Sequence, residues 1–337
     1  MTGTAGPHEL VGLSALMARG PGRPEVVVGL VDEPVALDHP ALAGQRVRVL
    51  AAGGSSAAGP AAGGDGCGVP AGCSPCRHGT FVAGLLSAAR SSAAPGICPG
   101  CTLLVRPVFP GRRGPEWGLG RDRAPGRTGC GRSAARVEEL AAAIVECVDA
   151  GARVLNLSVA PEQPSSARRR ELESALDYAA HRGVITVVAA GNQGRLGSSA
   201  LTRHPWVLPV VAYDRRGRLM DLSNLGGSIG GRGVGGPGEA VTGLGVGGGP
   251  VTLTGTSVAV PFVVGTVALL LSEFPGAPAG EVRAAVAGTS GGARRAVVPP
   301  LLDARAAYGT LLAAYGPWPV RGAGRRAGSG GGGPARR

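Results

Sequence analysis

Apolar runs of strand length alternate with longer segments of helical period along most of this chain, and that alternation restricts its fold more than any other feature. EVVVGLVD (25–32), CTLLVRPVF (101–109), RVLNLSVA (153–160) and VITVVAAGN (184–192) are rich in β-branched residues and too continuous to leave one face for water. Between and after them lie HGTFVAGLLSAAR (78–90), with Phe81, Val82, Leu85 and Leu86 on one side, then ARVEELAAAIVECVDAG (135–151) and SARRRELESALDYAAHRG (166–183). These read as helices, as do the segments opening at Ser257 and spanning 301–315. Strands buried on both faces and joined through helices form a mostly parallel sheet, so the expected class is α/β with three α/β/α layers. One domain over 25–320 is expected, after an N-terminal extension (1–24). Gly-rich insertions stand near 51–68 and 110–133, and 321–337 is a Gly/Arg tail too poor in apolar residues to order itself.

Composition excludes several functions. The formal charge of +12 would ordinarily point to an acidic partner, yet every Lys/Arg position is Arg and Asn, Ile and Phe are scarce. That bias reads as genomic base composition, and no aromatics interleave with the arginines to stack on bases, so no nucleic-acid partner is expected. The first 22 residues lack the charged start and apolar core of a secretion signal, and no later apolar run reaches membrane-spanning length free of turn residues. A cytoplasmic protein without a membrane partner is the expectation, and the odd number of cysteines, seven, agrees with it.

In a sheet of this kind reactive groups gather where strands end and helices begin. Asp32 ends the first strand, His78 opens a helix, and Ser257 opens the apolar segment TSVAVPFVVGTVALLL. Each alone reads as a cap or turn residue. Together they supply the carboxylate, imidazole and hydroxyl of nucleophilic acyl transfer. All five histidines precede Ser257, which excludes the Ser-before-His order of α/β-hydrolases and leaves Asp, His, Ser.

The motifs HGTFVAG, GVITVVAAGN and GTSVAVPFVVGTVALL, with VGLVDEPVALDHP ahead of them, resemble those of the subtilisin-like serine proteases, in family order, over roughly residues 25–315. The resemblance implies a serine endopeptidase with Asp32, His78 and Ser257 as its triad and Asn192 as a side-chain donor to the oxyanion. It further implies a peptide or protein substrate lying along Ser158, Val159, Ala160, Ala190 and Gly191. Asn192 is one of only three asparagines. Departures are Glu33-Pro34 after Asp32, where the family has Thr or Ser and then Gly, and Ala160 at a usual glycine. VDEPVALDHPAL and GICPGCTLLVRPVF look like segments of the subtilisin-like domains that mature cyanobactin-type precursor peptides, so precursor processing is implied. A macrocyclase of the same fold and a silent peptide-binding relative are the alternatives.

Glu33 is expected to face solvent or the cleft rim, where it would favour basic substrate residues. Cys73-x2-Cys76 and Cys98-x2-Cys101 stand 21 residues apart, close to zinc-ribbon spacing. Small buried hydrophobes are the preferred reading of Cys76 and Cys101, with a disulfide from Cys67 or Cys73 to Cys98 as a third. No metal or other cofactor is assigned. His8, His181 and His204 are expected in solvated or loop positions, and Asp38 is a poorer triad candidate than Asp32 because no strand fixes it.

Overall fold

The computed structural model describes residues 6–50, 76–108, 135–158, 166–288 and 294–317. Both expected insertions and the expected tail lie outside these residues. Strands β1 (Val27–Asp32), β2 (Val47–Val49), β3 (Thr102–Pro107), β4 (Val154–Leu157), β5 (Ile185–Ala189), β6 (Leu208–Tyr213) and β7 (Val234–Pro237) form one sheet in the order β2-β3-β1-β4-β5-β6-β7. Every neighbouring pair is parallel. A hairpin, β8 (Val241–Leu244) and β9 (Pro250–Leu253), stands apart as an antiparallel pair.

The helices are α1 (Pro7–Leu10), α2 (Leu13–Met17), α3 (Arg77–Ser87), α4 (Val137–Asp149), α5 (Ser166–His181), α6 (Ala200–Arg203), α7 (Gly227–Arg232), α8 (Thr256–Glu273), α9 (Ala279–Ala287) and α10 (Ala304–Tyr315). Successive strand residues point to opposite faces, and the sheet uses both. Val28, Leu30, Val105 and Val187 meet α3 and α8 on one side, whereas Val31, Leu104, Leu157 and Val188 meet α4 and α5 on the other. The three-layer α/β/α arrangement follows.

One helix is more deeply placed than its sequence foretells. Every residue of α3 from His78 to Ser87 is buried, so its expected one-sided apolar face is in fact a helix enclosed all round. Helix α8 is likewise buried throughout, from Thr256 to Ser272, as its continuous apolar run implies. By length and hydropathy α8 would pass for a membrane span, but here it is the central pillar of the core. Each fully buried Val, Leu or Phe along it contributes roughly 1.5–3 kcal/mol of transfer free energy.

The Gly-rich stretch after β6 holds β7, in which Tyr213 and Ala259 lie directly against the main chain at Gly235 and Gly236. The N-terminal segment also joins the core through Val11, Leu13 and Leu16. Its His8 is half-buried rather than fully solvated: the ring packs on Phe262 at 5.3 Å between centroids, and its Nε2 is buried. Burial, and secondarily the Arg90 guanidinium, lower the His8 pKa below its ordinary 6.5. The unfolded chain therefore binds a proton near that pH that the folded protein resists, so this contribution is complete above it and is lost as the pH falls. His8→Leu is expected to flatten the decline of the thermal midpoint between about pH 7.5 and 5.5 relative to the wild type.

Candidate active site

The carboxyl ends of three adjacent strands set one side of the site: Asp32 closes β1, Ser158 follows β4, and Asn192 lies just beyond β5. The first turns of α3 and α8 bring His78 and Ser257 to the same edge. Asp32 is almost wholly buried, and its Oδ1 accepts from the Glu33 main-chain N–H and faces His78 Nδ1, both at 2.7 Å. His78 Nε2 lies 3.0 Å from Ser257 Oγ. An ionised carboxylate only accepts, so the proton between His78 and Asp32 sits on Nδ1 and leaves Nε2 to accept from the serine hydroxyl. The arrangement is a proton path from hydroxyl to imidazole, with a fixed negative charge behind the ring.

Asn192 is anchored from the helix side. Its Oδ1 accepts from the Thr256 N–H at 2.8 Å and the Thr256 hydroxyl at 2.9 Å. A main-chain N–H can only donate, which fixes the amide orientation and turns Nδ2 outward beside Gly255, the residue capping α8. The outward N–H2 and the Ser257 main-chain N–H, the first-turn donor of α8 not taken by Asn192 or Gly255, therefore share one edge, where negative charge would be stabilised. In the sequence Thr256 reads only as a candidate cap at the start of the apolar helix, with no part in the chemistry. Its signal is only that it precedes Ser257 as a second small hydroxyl residue.

Pro261 explains Ser158. Proline has no N–H, so the carbonyl four residues earlier in α8, that of Ser257, loses its helical partner. The Ser158 hydroxyl donates to this carbonyl at 3.3 Å while accepting from Asn156 Nδ2 at 2.8 Å. Ser158 thus ties the nucleophile's turn to the end of β4.

Glu33 differs from expectation. It is half-buried rather than fully solvated, and its carboxylate accepts from the His78 main-chain N–H at 3.0 Å, so it caps the start of α3. Its main chain presses on the same turn: a Cβ on Gly79 would run into the carbonyl oxygens of Glu33 and Pro34. That contact is why His78 is followed by glycine. On the other wall, the four main-chain polar groups of Ala190 and Gly191 bond to Val210, Thr256 and Asn224. These residues offer the site a surface, with their ladder groups already used. Val159 and Ala160 lie outside the described residues.

The cysteines do not assemble a four-thiolate site. Cys76, at the N-cap of α3, is disulfide-bonded, whereas Cys98, Cys101 and Cys147 are free and buried. The partner of Cys76 is therefore outside the described residues, as is Cys73, and the expected pairing of Cys98 with Cys67 or Cys73 is not formed. Among the described residues no three His, Cys, Asp or Glu are grouped to hold a metal. His204 is buried rather than solvated, with Nε2 3.1 Å from Asp177 and Nδ1 accepting from the Trp206 N–H. Asp38 stays exposed in its turn.

The sequence model of the subtilase family matches residues 23–316. The chain belongs to the subtilase family. A thermophilic serine proteinase of Bacillus sp. (strain AK1) is 31% identical over 199 residues, which cover 58% of this chain and 43% of that protein. This chain thus spans less than half of that relative's length. Subtilisin DY of Bacillus licheniformis is 27% identical over 286 residues, covering 83% of this chain and 89% of that protein. Among solved structures of the subtilase fold, the patellamide maturation protease PatA superposes with a TM-score of 0.66 at 29% identity, over 87% of this chain and 98% of that one.

Proposed function

We propose that this subtilase is a serine endopeptidase that opens peptide bonds through an acyl-enzyme on Ser257 and acts on a ribosomally made precursor peptide. The observation that carries the reading is the unbroken line from Asp32 through His78 to Ser257. Ser257 Oγ attacks the scissile carbonyl as His78 Nε2 takes its proton, and the Asp32 carboxylate stabilises the imidazolium. The carbonyl oxygen becomes an oxyanion facing Asn192 Nδ2 and the first turn of α8. Collapse of the tetrahedral species breaks the C–N bond, and the leaving amine receives the proton from His78. Water, deprotonated by the same imidazole, then hydrolyses the ester. Likeness to a patellamide maturation protease supports a precursor peptide as substrate.

A fluorophosphonate is expected to add once, on Ser257, by intact mass, and a folded His78→Ala variant should take up none in the same time. Folded wild type that stays unlabelled sinks the proposal. A mixed peptide pool separates the finer claim. Cleavage at a few sequences fits a maturation enzyme, whereas broad cutting removes the precursor role and leaves the endopeptidase.

A further inference from the structure

We infer that Asn224, on the turn between β6 and α7, is a positioning residue that holds the Asn192 loop in register with the nucleophile; the inference rests on Asn192 being the oxyanion donor. Asn224 Oδ1 accepts from the main-chain N–H groups of Gln193 at 3.1 Å and Arg195 at 3.0 Å. Its Nδ2 donates to the Ala190 carbonyl at 3.2 Å and to Gln193 Oε1 at 2.7 Å, and its own main-chain N–H donates to the Gly191 carbonyl at 2.9 Å. One residue thereby grips positions 190, 191, 193 and 195, on both sides of Asn192.

A carboxamide has two acceptor sites and two N–H donors, and here all four are committed to this loop. Asn224 has nothing left with which to hold a substrate, so its contribution to the reaction passes through Asn192. Residues that only accept and only donate surround the amide, which fixes its orientation. The backbone is shaped to the same contact. Gly191 has φ +105°, and a Cβ there would strike Asn224 Nδ2. The loop needs such support because residues 192–197 are exposed and contribute nothing to the core. Main-chain bonds from Gly194 to Leu222 and between residues 195–197 and Leu225 extend the attachment to the same turn.

Two independent holds therefore meet at Asn192. Thr256 fixes its amide relative to Ser257, and Asn224 fixes its main chain relative to β5 and β6. With the second hold removed, Nδ2 is displaced from the oxyanion position, while the triad stays in place and the wall keeps its bonds to Val210, Thr256 and the Asn224 main chain.

The test uses the intact protein and saturation kinetics of Ser257 labelling by a fluorophosphonate, which separates the covalent step (kinact) from binding (KI). Phosphonylation joins Ser257 Oγ to phosphorus, expels fluoride, and sets the phosphonyl oxygen where an oxyanion would lie. Asn192→Ala should lower kinact by about 10²- to 10³-fold, the range found for such a donor in this family. Asn224→Ala should lower it by about 10- to 100-fold with KI unchanged, the scale of a misplaced reacting group. In the Asn192→Ala background, Asn224→Ala should add less than about 2-fold, because the two act through one contact. A merely structural role would lower the thermal midpoint without this dependence on background. If Asn224→Ala does not fold, Asn224→Asp replaces it: the acceptor sites stay, both N–H donations go, and an intermediate loss is expected. Wild-type kinact in a folded Asn224 variant, or an equal fractional loss in both backgrounds, overturns the inference. Unchanged kinact in Asn192→Ala instead locates the failure in the oxyanion assignment, and the inference falls with it.

Discussion

Ser257→Ala is expected to lower kcat for peptide hydrolysis by about 10⁶-fold while leaving KM within a few-fold of wild type. The hydroxyl is the only group removed, and the cleft that binds a peptide is built from other residues. His78→Ala in the same protein should cost about as much, and the double variant no more than either alone, because the two transfer one proton. Burst-free steady-state assays with a cleaved peptide, beside matched thermal midpoints, measure this. Losses that multiply in the double variant would mean that the two side chains do not act as a unit.

Asp32→Asn is the second large effect, about 10⁴-fold in kcat. The side chain keeps its shape, so the fold should be retained. Asp32 Oδ1 takes both hydrogen bonds, whereas Oδ2 is buried without a partner among the described residues. An amide placed there either turns its N–H2 toward His78, which forces the wrong tautomer, or buries it where Oδ2 now stands. Both arrangements remove the charge opposite the imidazolium. Glu33 cannot take over, because its carboxylate is engaged at the His78 main-chain N–H on the other side of the turn. A variant retaining a tenth of wild-type kcat would show that the charge of Asp32 is dispensable.

Much of this molecule is legible in its sequence because burial on both faces writes continuous apolar runs. The cores of β1, β3, β4 and β5 lie within the runs that announce them, and the order Asp, His, Ser restricts the nucleophile before any contact is known. What stays illegible is whatever depends on a distant partner. Strand β7 carries Gly235 and Gly236, and its burial comes from Tyr213 and Ala259 lying on its main chain, so no periodicity marks it. Glu33 reads as an exposed charge until the start of α3 is brought to it from 45 residues away. Asn224 looks like an ordinary turn residue, since its four side-chain bonds are made to residues some thirty positions earlier. Arg106 is a further case. A charged residue inside a strand is almost fully buried because Glu139 and Glu146 of α4 meet it at 2.9 and 2.5 Å.

The proline in α8 has a consequence for how such a site can change over evolutionary time. Below Pro261 the helix is a rigid column in the core, and substitutions there are punished through stability. Above it, the turn bearing Ser257 is secured by groups belonging to other elements, the Ser158 hydroxyl on one carbonyl and the Asn192 amide on one N–H. Reactivity is thus adjustable from neighbouring loops by fractions of an ångström, with the column left alone. Drift in rate is accordingly expected to accumulate around positions 158, 193 and 195, with Gly191, Asn192 and Gly194 retained, at little cost to the column.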